Sequence, residues 1–146
     1  MSNLAEPLTI RLAAPFERDE LEDLQRRASL ALPEYRAMLE THPDAIALPA
    51  EQIEGGDVLV AEIDGRIAGF AALVGGDLDG LFVEPALWRT GIGAALVESA
   101  AHEARKRGLS LTVTANPGAR LFYESCGFAV EGDAQTRFGP ALRMSR

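Results

Sequence analysis

Two glycines at the mouth of a long helix carry the clearest chemistry in this 146-residue chain. The stretch Leu81-Phe82-Val83-Glu84-Pro85-Ala86-Leu87-Trp88-Arg89-Thr90-Gly91-Ile92-Gly93-Ala94 reads as a short apolar strand, a proline-marked turn and the start of an Ala-rich helix. The first N–H groups of a helix lack internal acceptors, and its dipole places partial positive charge there. Glycines at that point let a ligand approach the backbone closely. Strand, turn and helix N-terminus together suit a pyrophosphate. A Gly-x-Gly pair also serves plain packing, so a second segment matters. It is Asn116-Pro117-Gly118-Ala119-Arg120-Leu121-Phe122-Tyr123-Glu124-Ser125-Cys126-Gly127-Phe128. An apolar strand over residues 109–115 stops at Asn-Pro-Gly, a short helix carries Phe122 and Tyr123, and Gly127 stands where a helix takes its left-handed cap. The Tyr123 phenol is protonated at neutral pH and can give its proton to a departing group.

These two segments, in this order and at this spacing, resemble the GNAT-type N-acetyltransferase superfamily. The resemblance runs from Asp57 to the end, about two thirds of the chain. It implies acetyl-coenzyme A as the acyl donor, with its pyrophosphate over Arg89, Thr90, Gly91, Ile92, Gly93 and Ala94. It further implies that the pantetheine arm pairs with the main chain of Leu81, Phe82 and Val83, in the manner of an added strand. A backbone N–H of that strand would polarise the thioester carbonyl. Asn116 would sit near the pantetheine and Tyr123 beside the sulfur as the acid. One position departs from the pattern: the family usually carries Gln or Arg three residues before the first glycine, and this chain has Trp88, followed by Arg89.

A general base is less clearly marked. Asp77, Asp79 and Glu84 flank the central strand, and strict alternation would put Asp79 on the same face as Leu81, which makes Asp79 the preferred base. The acceptor is expected on the other side of the sheet from the nucleotide, between the helices of residues 25–53 and the turn at 136–140. Arg26, Tyr35, Glu51 and Arg137 are the lining residues expected there. A primary amine of a small molecule, or of a peptide, is the acceptor this reading favours. Two other readings stay open. One is a non-catalytic acyl-coenzyme A sensor of the same shape. The other, a nucleotide-dependent oxidoreductase, lacks the third glycine of its turn, since Leu87 stands there.

These residues need a scaffold that the apolar pattern supplies. Residues 8–12 alternate as a strand, and helices are expected from Pro15, from Glu34 to Thr41, and as a turn at residues 51–53. Asp64-Gly65 joins strands 58–63 and 67–74 in a two-residue hairpin. A strand at 78–83, the helix at 91–106, and strands at 109–115, 128–131 and 141–144 complete the series. The expected fold is α/β: a mixed, mostly antiparallel sheet of about six to seven strands with helices on both faces, as one domain over residues 1–146.

Composition sets outer limits. Hydrophobic residues make up 47% of the chain, enough to build a core. A net charge of −8 argues against nucleic acid as a partner. The single cysteine, Cys126, rules out an internal disulfide or a multi-cysteine metal site, and no metal is expected. The stretch Met1-Ser2-Asn3-Leu4-Ala5-Glu6-Pro7 lacks the basic and long apolar regions of a signal peptide, and no segment is apolar enough to span a membrane. A cytoplasmic location is the expectation, with homodimerisation left open.

Overall fold

The central strands are apolar on both faces, so helices must cover the sheet from both sides. Residues 68–73 of β3 (Arg66–Val74) are all buried, Phe70 and Ala71 completely. The computed structural model describes residues 7–146; the segment Met1–Glu6, read above for a leader, lies outside the described residues. Around β3 stand β1 (Leu8–Leu12), β2 (Val58–Ile63), β4 (Asp77–Val83), β5 (Thr112–Ala115), β6 (Ala129–Thr136) and β7 (Gly139–Ser145). They form one seven-stranded sheet in the order β1-β2-β3-β4-β5-β7-β6. Every pairing is antiparallel except β4 with β5. At the β2–β3 turn Asp64 (φ 53°) and Gly65 (φ 73°) both take the left-handed conformation a type I′ hairpin demands.

One face is covered by α4 (Ile92–Lys106), which buries Ile92, Leu96, Val97, Ala100, Ala101 and Ala104 against β2, β3 and β4. The short α5 (Arg120–Ser125) places Tyr123 in the same core. On the other face α1 (Arg18–Leu30) and α3 (Ala50–Glu54) bury Leu21, Leu24 and Ile53 against Val58, Val60 and Phe70. Between them α2 (Pro33–Thr41) starts at a proline, whose missing N–H costs nothing in a first turn. Among the described residues no helix is long and apolar enough to cross a membrane.

Three boundaries differ from expectation. Gly91 is not the first turn of α4 but its cap (φ 92°). β5 begins at Thr112 rather than residue 109, because Gly108 (φ 74°) carries the chain out of α4 and the Leu109 N–H still bonds the Ala104 carbonyl. β6 extends to Thr136, well past residue 131, since an edge strand exposed on both faces needs no apolar alternation to stay paired with β7.

The feature that matters for function is where β4 and β5 stop pairing. They meet only at Asp77–Thr112 and Leu78–Val113. Beyond that β4 carries a bulge: Ala72 faces Gly80 and Leu73 faces Leu78, leaving Asp79 as the extra residue. β5 ends two residues after its last pair with β4, just before Asn116-Pro117, where the proline has no N–H to continue a ladder. The two strands therefore diverge, and a cleft of about 820 Å³ opens between them.

Candidate functional site

The wide end of the cleft is floored by the start of α4. The first bond into the helix is Ala95 N–H to the Gly91 carbonyl, 3.0 Å. Among the described residues none of the backbone N–H groups of residues 89–94 has a protein acceptor. Six successive donors left free at a positive helix end suit an anion. The glycines serve this in different ways. A Cβ at Gly91 would meet nothing within 4 Å, but its φ of 92° calls for glycine. A Cβ at Gly93 would lie 3.1 Å from Phe122 Cζ, so that glycine admits the aromatic side chain of α5. Arg89 also has positive φ (66°), and its exposed side chain forms no ion pair among the described residues. Thr90 Oγ1 donates to the Leu87 carbonyl across 2.6 Å and pins the turn from inside.

Strand pairing decides which groups of β4 face the cleft. The Glu84 N–H bonds the Ala68 carbonyl, so Ala68 and Glu84 are a hydrogen-bonded pair in the β3–β4 ladder. Such pairs alternate, so Phe82 and Gly80 also spend their main-chain groups on β3. The N–H and C=O groups of Leu81 and Val83 therefore point to the opposite edge, which β5 has vacated. The Val83 carbonyl is taken by the indole N–H of Trp88 at 2.8 Å. Leu81 and the Val83 N–H are left for a peptide-like ligand. Phe82 is thus corrected from main-chain partner to packing residue, its ring 5.3 Å from that of Phe70.

Beyond the end of β5 three polar side chains converge on the cleft. Tyr123 is buried, its ring edge-on to Phe122 and Phe128 at 5.1 and 5.3 Å. Burial is the main force pushing its phenol well above the usual range, with Cys126 and Tyr35 adding to the rise. Its hydroxyl forms no hydrogen bond among the described residues and faces the cleft as a neutral donor. Asn116 accepts from the Gly118 N–H at 2.7 Å, which folds the Asn-Pro-Gly turn while the residue still lines the cleft. Tyr35 reaches the same spot from α2; burial raises its pKa and the neighbouring Asn116 side chain pulls it back.

Of the three acids considered as bases, two are already engaged. Asp77 accepts from Arg143 and Thr112 at 2.8 and 2.7 Å. Glu84 is held by Arg27 through two hydrogen bonds (2.9 and 2.8 Å), chiefly because of which its carboxyl lies below the usual range. Asp79 alone is unpaired among the described residues and lines the cleft. It arrives there through the bulge, not through the alternation with Leu81 that the sequence suggested.

The narrow wall opposite is built by α1, α2 and the β6–β7 turn. Gln25, Tyr35, Met38 and Phe138 line it. Arg26 and Glu51 do not: both side chains are exposed and neither borders the cleft, because α1 turns Gln25 and Ala28 inward and leaves Arg26 on its solvent side. Arg137 stands at the rim, paired with Asp44 at 3.1 Å and over the Phe138 ring at 4.8 Å. Phe138 was not anticipated. An aromatic residue in an exposed turn was its only signal.

Residues 31–143 match the family model described as an acetyltransferase (GNAT) domain. The chain belongs to the GNAT acetyltransferase family. As such it is an N-acetyltransferase with acetyl-coenzyme A as donor, and the cradle and free strand edge fit that molecule's pyrophosphate and amide-bearing arm. No curated protein matches this acetyltransferase significantly. Among solved structures it is similar to apo YjaB from Escherichia coli (28% identity, TM-score 0.72, covering 95% of this chain and 97% of that one). A GCN5-related N-acetyltransferase from Rhodopseudomonas palustris shares the fold at TM-score 0.81 and 23% identity, over 94% of each chain. So does the PaiA N-acetyltransferase of Thermoplasma acidophilum, solved with coenzyme A, at 0.73 and 19% identity over 96% and 99%.

Proposed function

We propose that this acetyltransferase moves the acetyl group directly from acetyl-coenzyme A to the primary amine of a small molecule, with transfer taking place at the β4–β5 divergence. The observation that carries this reading is the meeting, in one cleft, of the unpartnered N–H groups of residues 89–94, the vacated edge of β4 and the cleft-facing hydroxyl of Tyr123. The helix end would hold the pyrophosphate and Leu81 and Val83 the pantetheine arm. A main-chain N–H of β4 beside the bulge would stabilise negative charge on the acyl oxygen.

Asp79 would draw in the ammonium and pass one proton to bulk water, leaving a free amine. As the nitrogen–carbon bond forms, the carbon–sulfur bond breaks. The second amine proton balances the one that Tyr123 supplies to sulfur, so the phenol is neutral before and after turnover. A high phenol pKa suits this role, because Tyr123 stays protonated throughout the working pH range. In a reducing compartment Cys126, half-buried and with its thiol pushed up mainly by burial, stays out of the chemistry.

The test pairs thiol release from acetyl-coenzyme A with mass spectrometry of the amine. Release that depends on amine, with one acetyl group gained per thiol freed, supports the reading. Release independent of amine, or acetylation of the enzyme in place of the amine, counts against it.

A further inference from the structure

The acceptor half of the cleft is chemically one-sided, in contrast to the rest of the molecule. The chain holds 22 Asp and Glu residues and a net charge of −8. Yet among the described residues that line the cleft only Asp79 and Arg89 are charged, and Arg89 belongs to the anion cradle at the other end. The wall built by α1, α2 and the β6–β7 turn is uncharged and mostly apolar, with Leu32, Met38, Ile46 and Phe138, its polar side chains being the neutral Gln25, Ser29 and Tyr35. Two of the charged groups beside this wall are already matched. Arg137 is committed to Asp44, and Glu84 to Arg27. Glu34 is exposed beside Gly118 and outside the lining. Phe138 is fixed in place by the His42 ring at 5.6 Å and the Arg137 guanidinium at 4.8 Å.

From this distribution we infer that the acceptor is a monoamine: a single cationic nitrogen on an apolar body, of which an arylalkylamine is the best fit. The inference rests on the acetyl-transfer reading above and names its substrate class. One carboxylate can neutralise one ammonium. A second ammonium, as in a polyamine or an aminosugar, would sit against Met38, Ile46 or Phe138 without a counter-charge, and burying an unpaired charge is costly. An α-amino acid would bring a carboxylate to a wall with no free cation. An apolar body gains instead, since each buried methylene favours binding by ~10-fold or more. The nitrogen would rest at Asp79, next to the bulge, and the ring against Phe138 and Met38.

Steady-state thiol release with 2-phenylethylamine, n-hexylamine, spermidine, kanamycin and phenylalanine tests this. The expected kcat/KM is at least ~100-fold higher for the two apolar monoamines than for the other three. Phe138→Ala should raise KM for 2-phenylethylamine ~10-fold while leaving KM for acetyl-coenzyme A unchanged. Met38→Glu, which supplies a second carboxylate, should shift preference toward spermidine. Equal or better turnover of spermidine, kanamycin or phenylalanine by the unaltered enzyme would overturn the substrate class and leave acetyl transfer standing. Failure of every amine to release thiol would overturn both.

Discussion

The indole of Trp88 donates its N–H to the carbonyl oxygen of Val83 across 2.8 Å, tying the turn before α4 to the last residue of β4. The two halves of the proposed donor site, strand edge and helix end, are thereby tied to each other. The bond also removes the one β4 carbonyl that would otherwise point at the wide end of the cleft, where phosphate charge is to be placed.

Trp88→Phe keeps a ring and loses the donor. The expected cost is about 1 kcal/mol in stability and a ~5- to 10-fold weaker affinity for coenzyme A, the net value of one hydrogen bond. Calorimetric titration of coenzyme A checks it. Unchanged affinity would mean that the turn holds its shape without Trp88.

The two glycines should respond differently to alanine. Gly91→Ala meets open space but forces φ 92° on a residue with a Cβ, so about 1–2 kcal/mol of stability should be lost. Gly93→Ala brings Cβ to 3.1 Å from the Phe122 ring, so its penalty should shrink when Phe122 is also changed to Leu. Chemical denaturation of the two single variants and the Gly93→Ala, Phe122→Leu pair measures both effects. Equal penalties with and without Phe122 would refute the contact.

How far the sequence alone revealed this site depends on range. The Asp64-Gly65 turn, the glycine-capped α4 and the Asn-Pro-Gly break are local decisions, made by residues whose backbone preferences overrule their surroundings, and they were legible. Asp79, expected to face the cleft by alternation with Leu81, does line it, but through a bulge, which has no sequence signature of its own. Partners distant in sequence were not legible at all. Nothing in the chain announces that Arg27 of α1 holds Glu84 at the end of β4, 57 positions away, or that Phe138 of the β6–β7 turn lines the cleft. β6 was half seen because its exposed side chains carry no periodicity, though one edge of its backbone pairs with β7 from Ala129 to Thr136.

The acid limb of stability should follow Glu17. Its carboxyl, nearly buried, takes two hydrogen bonds from Arg11 (2.9 and 2.7 Å) and one from the Ala14 N–H (2.8 Å). Arg11 is the main reason its pKa lies below the usual value, with burial opposing. A depressed carboxyl stabilises the fold fully above its unfolded pKa of about 4.3 and loses that contribution as pH falls through the lower folded value. Glu17→Gln should therefore cost about 2 kcal/mol at pH 7 and flatten the fall in Tm below about pH 4.3. Melting curves from pH 3 to 7 decide. A parallel pair of profiles would show that Glu17 does not titrate with folding.

Tyr123→Phe keeps the ring in its aromatic cluster and removes only the proton. The expected result is a ~10²- to 10⁴-fold lower kcat with nearly unchanged coenzyme A affinity. Because burial holds the phenol above its usual range, the parent's activity should show no loss from Tyr123 up to about pH 10, the unperturbed tyrosine value. Turnover of the Phe variant at the parent rate would make Tyr123 a packing residue.

Everything proposed for the chemistry requires the donor to lie in the divergence of β4 and β5. A crystal structure with coenzyme A tests it most directly. Pyrophosphate oxygens are expected within hydrogen-bond distance of main-chain N–H groups in residues 89–94, the pantetheine amides paired with Leu81 and Val83, and the sulfur beside the Tyr123 hydroxyl. Coenzyme A bound outside the cleft, or with its sulfur directed away from Tyr123 and Asp79, would contradict it.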